Sequence, residues 1–307
     1  MTAVPLAAVA ALALALAVPP LVGFDPYYLY VLGTGWLWAT LACAWGLLAF
    51  AGQVSFGHAA YFGAGAYASA LLSQSAGWHP WLALGAAGLV GAAVAVPMGL
   101  GARRLGGAPL ALATFAYAEV CRLVALNWTA LTGGGAGLVG IPSLPLGRER
   151  VGHYYVALGV LVAALVIVAG LRRTPVGLAW AAIRERESRA ELLGLTPAPY
   201  KLLAFACSGA LTALGGALFA HAVRYIEPDL VFGRGLSLLP LVMATFGGAH
   251  SLLGPPAGAL MLYLLSEVVL QPTLPRLHQL PYAVALVLVV LVLPRGLAGI
   301  ARRVEGP

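Results

Sequence analysis

Apolar residues run along this chain in long stretches separated by short polar gaps. A bilayer span needs about 20 mostly apolar residues. Ten stretches are candidates: near 5–22, 29–50, 56–72, 81–100, 108–126, 153–171, 201–222, 234–250, 256–270 and 281–294. The pattern predicts an all-α, polytopic membrane bundle of about ten transmembrane helices, one domain over 1–307. The third, eighth, ninth and tenth stretches are short or glycine-rich, so pattern defines their ends least. The first has small residues ahead of Pro19, as a signal peptide does, but no Lys or Arg precedes it. A signal peptide carries a basic leader, so this stretch is read as a retained first span.

Composition agrees. Of 307 residues, 61% are hydrophobic and only 9% charged, against about 25% charged in soluble domains. Mean hydropathy is +0.93. A water-soluble globule is excluded. The balance of 17 basic to 10 acidic residues does not point to nucleic acid, because the basic residues sit in the gaps and form no patch interleaved with aromatics. They orient the chain instead, since short cytoplasmic loops collect Arg and Lys. With ten spans and both termini cytoplasmic, Arg103, Arg104, Arg172, Arg173, Arg184, Arg186, Arg189, Lys201, Arg295, Arg302 and Arg303 lie inside. Arg122, Arg148, Arg150, Arg224, Arg234 and Arg276 lie outside. That partition favours ten spans over nine. Cys43, Cys121 and Cys207 fall within apolar stretches without metal-ligand spacing and read as small buried hydrophobes. No metal or cofactor is expected. Ala60, Ala64 and Ala68, and likewise Ser208, Thr212, Gly216 and Ala220, recur every four residues, which predicts close helix packing.

The window 172–201 holds nine of the 27 charged residues. It predicts a short amphipathic helix over 175–193 within a cytoplasmic loop at about 172–200. Thr174 stands at the N-cap and Pro175 at the first helical position. Ala182, Ile183, Ala190 and Leu193 share a side, with Arg184, Glu185, Glu187, Arg189 and Glu191 around the others. Gly194 and then Thr196-Pro197-Ala198-Pro199 stop it. Such a helix either rests on lipid headgroups or docks a partner. Its mixed signs favour a protein, since lipid-binding helices are more purely basic.

Two features place polar groups at membrane depth. Gly52-Gln53-Val54-Ser55-Phe56-Gly57-His58 joins two apolar stretches without a clear loop. Gln53, Ser55, Gly57 and His58 either line a path or gate, or close a tight turn at the cytoplasmic end. Glu119 lies inside the fifth stretch, three residues before Arg122. It is either half of a structural ion pair or a pathway residue. Glu267 stands near the end of a span.

The chain has a single lysine, Lys201, and no phosphate-binding G-x-x-x-x-G-K-[ST] loop, no H-E-x-x-H and no G-x-S-x-G. Nothing pairs a nucleophile with a base, so a membrane enzyme is disfavoured. If ATP energises transport, another chain hydrolyses it. A stand-alone channel or secondary transporter for a small polar solute, with Glu119 or His58 as its coupling site, is the competing expectation.

The run Gly52-Gln53-Val54-Ser55-Phe56-Gly57-His58-Ala59-Ala60-Tyr61-Phe62-Gly63-Ala64-Gly65-Ala66-Tyr67 resembles the signature of the branched-chain amino acid ABC importer permeases. Leu126-Asn127-Trp128, Leu131-Thr132-Gly133-Gly134, Gly140-Ile141-Pro142, Ala181-Ala182-Ile183-Arg184-Glu185, Tyr200-Lys201-Leu202-Leu203-Ala204-Phe205, Gly247-Gly248 and Pro294-Arg295-Gly296-Leu297 resemble the M-type (LivM) subunit in order. One departure is that Gly135 and Ala136 stand where the family often has a small hydroxyl residue and an acid or amide. The resemblance implies a non-catalytic subunit in the cell's inner membrane that translocates branched-chain or related amino acids. It implies a LivH-type permease partner, two ATP-binding cassette subunits beneath, and a substrate-binding protein outside. It places Arg184, Glu185, Glu191 and Gly194 in the ATPase-coupling loop, and Gln53, Ser55, Gly57 and His58 beside the pathway.

Overall fold

The computed structural model describes residues 6–145, 149–275, 277, 280–291 and 296–299. Arg148, Arg276, Arg295, Arg302 and Arg303 of the charge partition, the last residues of the tenth predicted span, and Pro294-Arg295 lie outside them. Helices α1 (Leu6–Leu21), α2 (Pro26–Phe50), α3 (His58–Gln74), α4 (Pro80–Gly101) and α5 (Gly107–Asn127) come first. A short α6 (Thr129–Thr132) precedes strand β1 (Leu138–Val139). Then follow α7 (Glu149–Arg173), α8 (Pro175–Glu185), α9 (Glu187–Leu192), α10 (Pro197–Val223) and β2 (Tyr225–Ile226). The chain closes with α11 (Pro228–Val231), α12 (Arg234–Gly247), α13 (Gly254–Leu264), α14 (Gln271–Thr273) and α15 (Leu280–Leu291). A π-helical turn, Leu265–Leu270, extends α13.

Each of the ten predicted stretches falls on a helix. Among the described residues six helical stretches are long and apolar enough to cross a bilayer: α2, α4, α5, α7, α10 and the joined α11–α12. The others are shorter. In lipid a helix satisfies its own backbone groups, which is why apolar length alone predicts these elements.

α2 is the centre of the bundle. Every residue from Ala39 to Ala49 is buried, as expected of a helix apolar all round. α7, α10, α12 and α13 surround it, and α10 also packs along α3 and α4. At the α3–α10 crossing a Cβ on Gly65 would collide with the Ala213 carbonyl, and one on Gly216 with the Phe62 carbonyl. Without those side chains the two backbones approach closely. The stripe Ser208, Thr212, Gly216 and Ala220 is buried here as expected. On α3 the tight contacts belong to Gly63 and Gly65 rather than to Ala64 and Ala68, which are only partly buried.

The bundle has two ends. α8, α9 and the starts of α5 and α10 form what we term the base. β1 and β2, paired antiparallel as Leu138 with Ile226 and Val139 with Tyr225, lie at the opposite, apical end with the end of α3, where Gln74 Nε2 donates to the Val139 carbonyl at 2.8 Å. This small sheet has no counterpart in the sequence reading, because two residues per strand leave no periodicity to detect.

Candidate translocation path and docking surface

α2 ends at the base in a Schellman cap. Gly52 adopts φ +76°, its N–H donates to the Ala49 carbonyl at 3.0 Å, and the Gln53 N–H to the Leu48 carbonyl at 2.9 Å. Residues 53–57 then climb back between helices without regular structure. Their polar groups find partners one by one. Trp45 Nε1 donates to the Ser55 carbonyl at 2.8 Å, the Phe56 N–H to Thr114 Oγ1 at 2.9 Å, and the Gly57 N–H to Ser55 Oγ at 3.1 Å. A Cβ on Gly57 would lie 2.8 Å from the Thr114 carbonyl. This is how irregular backbone is tolerated at membrane depth: it is enclosed by protein.

α3 therefore begins at His58, inside the membrane, and not at residue 56 as the pattern suggested. Three rulers agree on its height. Thr114 is seven residues into α5, Ser208 eleven into α10, and Ser237 ten from the end of α12, so α3 starts about 10–16 Å above the base. His58 Nε2 and Ser208 Oγ share a hydrogen bond at 3.1 Å, and Ser208 Oγ also reaches the Ala44 carbonyl at 2.8 Å. Nδ1 of His58 is buried without a hydrogen-bond partner among the described residues. The Ala59 N–H donates to Ser237 Oγ at 3.3 Å. Gln53, Ser55, Gly57 and His58 are all buried and sit together at the foot of α3.

Glu119 stands elsewhere, nearer the apical end of α5. Arg122 donates to Glu119 Oε1 through Nε at 3.1 Å and Nη2 at 2.6 Å, the ion pair that was one of the two readings the three-residue spacing left open. It also donates from Nη1 to Asp229 Oδ1 at 2.6 Å. Arg234 Nε lies 4.0 Å from Glu119 Oε2. α11 carries Asp229 below the apical surface. Phe232, just after it, stacks on Tyr67 with ring centroids 6.0 Å apart. Tyr67 is seven residues from the end of α3, about 10 Å down. α12 thus also begins inside the bundle, below its apical end. A cavity of about 230 Å³, lined by Tyr30, Ser143, Arg150, His153, His221 and Arg224, opens apically between α2, α7 and α10, away from this seam.

At the base the predicted helix over 175–193 is two helices, broken at Arg186, which is extended at φ −159°. The buried face of α8 is Gly177, Ala179, Trp180 and Ile183, with Trp180 Nε1 donating to the Tyr200 carbonyl at 2.8 Å. Glu187, the first residue of α9, pairs at 2.6 Å with buried Lys201, which also donates to the Ala102 carbonyl at 3.0 Å. A continuous helix would carry the chain past that pairing. Pro175 holds the first helical position as expected, but Thr174 Oγ1 donates back to the Leu171 carbonyl instead of capping α8. Ala190 is buried, while Leu192 and Leu193 are 87% and 82% exposed, so Leu193 does not join the buried side. Gly194 adopts φ +85° and closes α9 in a second Schellman cap. Pro197, read as part of a stop, instead starts α10 at its first position. Arg184 is half-buried against Gly52 and Phe50, while Glu185, Glu191 and Gly194 are exposed. His250, in the loop after α12, has its imidazole pKa held below the ordinary value by burial first, then by Arg184 and Arg172.

Thr114, Ser237 and Asp229 escaped the sequence reading; Ser208 entered it only as a packing residue and Arg234 only as an outside charge. Thr114 and Ser237 were legible as isolated polar positions in apolar spans.

A family described as "Branched-chain amino acid transport system / permease component" matches residues 27–293. The high-affinity branched-chain amino acid transport system permease protein LivM of Salmonella typhimurium is 33% identical over 244 residues, covering 71% of this chain and 57% of that protein. LivM of Escherichia coli K12 is 32% identical with the same coverage. The autoinducer 2 import system permease protein LsrC of Klebsiella pneumoniae is 30% identical over 54% of this chain and 49% of that protein. The chain thus spans about half the length of these relatives. No solved structure matches it.

Proposed function

We propose, from the premise that the chain belongs to the branched-chain amino acid transport permease family, that it is the non-catalytic, membrane-spanning permease subunit of an ATP-driven importer. Its cargo is a branched-chain or related amino acid, crossing the cell's inner membrane. The base faces the cytoplasm with both termini, two cassette ATPases dock there, and a substrate-binding protein delivers cargo at the apical end. A LivH-type permease chain covers α5, whose outward positions Leu112, Ala116, Val120, Leu123 and Asn127 recur along one face.

The observation that carries this reading is the tip of α9. Leu192 and Leu193 project from the bundle, ringed by Arg186, Arg189 and Glu191, on an element fixed from below by Lys201. Two adjacent leucines held out this way, beside charged residues, make an exposed apolar spot suited to a protein partner. The push of a closing ATPase on this knob reaches the path through Arg184, whose Cα would touch a Cβ on Gly52 at 2.8 Å. Gly52 starts the segment that ends at His58. Gln53, Ser55, Gly57 and His58 form the moving gate at the foot of α3, and Glu119 lies on the path above it.

The test is the variant Leu192→Asp with Leu193→Asp in the native complex. Both side chains are exposed, so insertion and pairing with the second permease chain persist, while the ATPase subunits no longer co-purify and uptake stops. Recovery of the ATPases at parental stoichiometry removes the docking assignment.

A further inference from the structure

We propose that the charge ladder Arg234–Glu119–Arg122–Asp229 is a station for the backbone of a zwitterionic α-amino acid, its carboxylate on Arg234 and its ammonium on Glu119 Oε2. This rests on the amino acid importer reading above.

The ladder joins α5 to α11 and the start of α12, below the apical end by the rulers already given. Its outer members are open: the Arg234 and Asp229 side chains are 73% and 69% exposed. A charge facing hydrocarbon costs about 2.5–3.5 kcal/mol on insertion scales, so two exposed charges beside the half-buried Glu119–Arg122 pair belong to a polar path rather than to lipid.

The two halves of the ladder differ. The Arg122 half is closed, with three hydrogen bonds of 2.6 to 3.1 Å to Glu119 and Asp229. All of those that reach Glu119 go to Oε1. Among the described residues its Oε2 has only Arg234, at 4.0 Å, too far for a hydrogen bond. A structural ion pair would close that gap. Here an exposed guanidinium faces a carboxylate oxygen with room between them. A zwitterion fits head to tail, since each of its charged ends meets its opposite and can form charge-assisted hydrogen bonds. Leu123, one helical turn after Glu119 and on its face, is exposed on this chain and would flank the alkyl side chain at the seam with the partner permease chain. Arg122 is a positioning residue that holds the Glu119 carboxylate; Arg234 and Glu119 Oε2 receive the cargo.

The experiment uses the complete complex, purified from native membranes with its ATPases and reconstituted in liposomes with cargo-loaded binding protein and radiolabelled leucine. Arg234→Gln removes an exposed, loosely paired group, so assembly and stimulated ATP hydrolysis stay near the parent's. Leucine uptake falls at least about tenfold, the loss of one good ionic contact, so more ATP is spent per leucine. Glu119→Gln gives the same uncoupling, and Arg234→Lys recovers part of the uptake. Parental uptake by Arg234→Gln overturns the proposal. So does a parallel fall of uptake and hydrolysis in Arg234→Gln, which marks a structural role. If the parental complex itself accumulates no leucine, it is the importer reading with this cargo that fails.

Discussion

At the scale of single residues, Gly52 carries two demands at once. Its positive φ closes the cap on α2, and its missing side chain lets Arg184 pack on the backbone. Some other glycines with positive φ meet only the conformational demand. Gly77, at φ +67° with nothing within 4 Å of a Cβ, is such a case. An alanine at either site costs about 1–2 kcal/mol of left-handed strain; only at Gly52 does it also push α8 away. Gly77→Ala is therefore expected to transport like the parent, while Gly52→Ala inserts but loses most uptake and stimulated ATP hydrolysis in proteoliposomes. Equal transport by the two variants would show that the Arg184 contact carries no motion. The sequence left a tight turn at 52–58 as one of two readings. The partner of the open side of Gly52 lies 132 residues away, beyond the reach of local pattern.

At the scale of elements, the break between α8 and α9 is held by one ion pair across the base. Lys201 is almost wholly enclosed, whereas Glu187 is about half exposed. Removing the carboxylate leaves a buried ammonium with one carbonyl partner; removing the ammonium leaves a carboxylate that water can reach. Glu187→Gln is thus expected to destabilise the base by about 1–3 kcal/mol, more than Lys201→Met, whose apolar chain fills the same channel. Thermal denaturation of the two purified variants checks the order, and the reverse order refutes the latch. A periodic pattern predicted one helix here because Ile183 and Ala190 do fall on one side. It failed at Arg186, where a tertiary contact outweighs the preference of the chain to continue.

At the scale of the whole molecule, α3 and α12 both begin inside the bundle and meet where the Ala59 N–H reaches Ser237. Short helices that start at depth are held by neighbours rather than by lipid, and they can shift when those neighbours do. On the importer reading such a shift would be driven by another chain, since this sequence has no G-x-x-x-x-G-K-[ST] loop. The isolated chain in liposomes is accordingly expected to show no leucine accumulation under a proton or sodium gradient. Strong flux there would favour the stand-alone transporter. Sequence by itself determined the helices, the polar segment at 52–58, the Glu119–Arg122 pair and the stop at Gly194, because backbone satisfaction in lipid, capping and three-residue spacing are local rules. Tertiary structure alone decided where α3 starts, what Asp229 and Arg234 do, and which glycines touch. In a membrane bundle nearly every helix face is apolar, so periodicity no longer says which face turns inward. That choice falls to the fit of small residues and to hydrogen bonds such as His58 with Ser208, 150 residues apart.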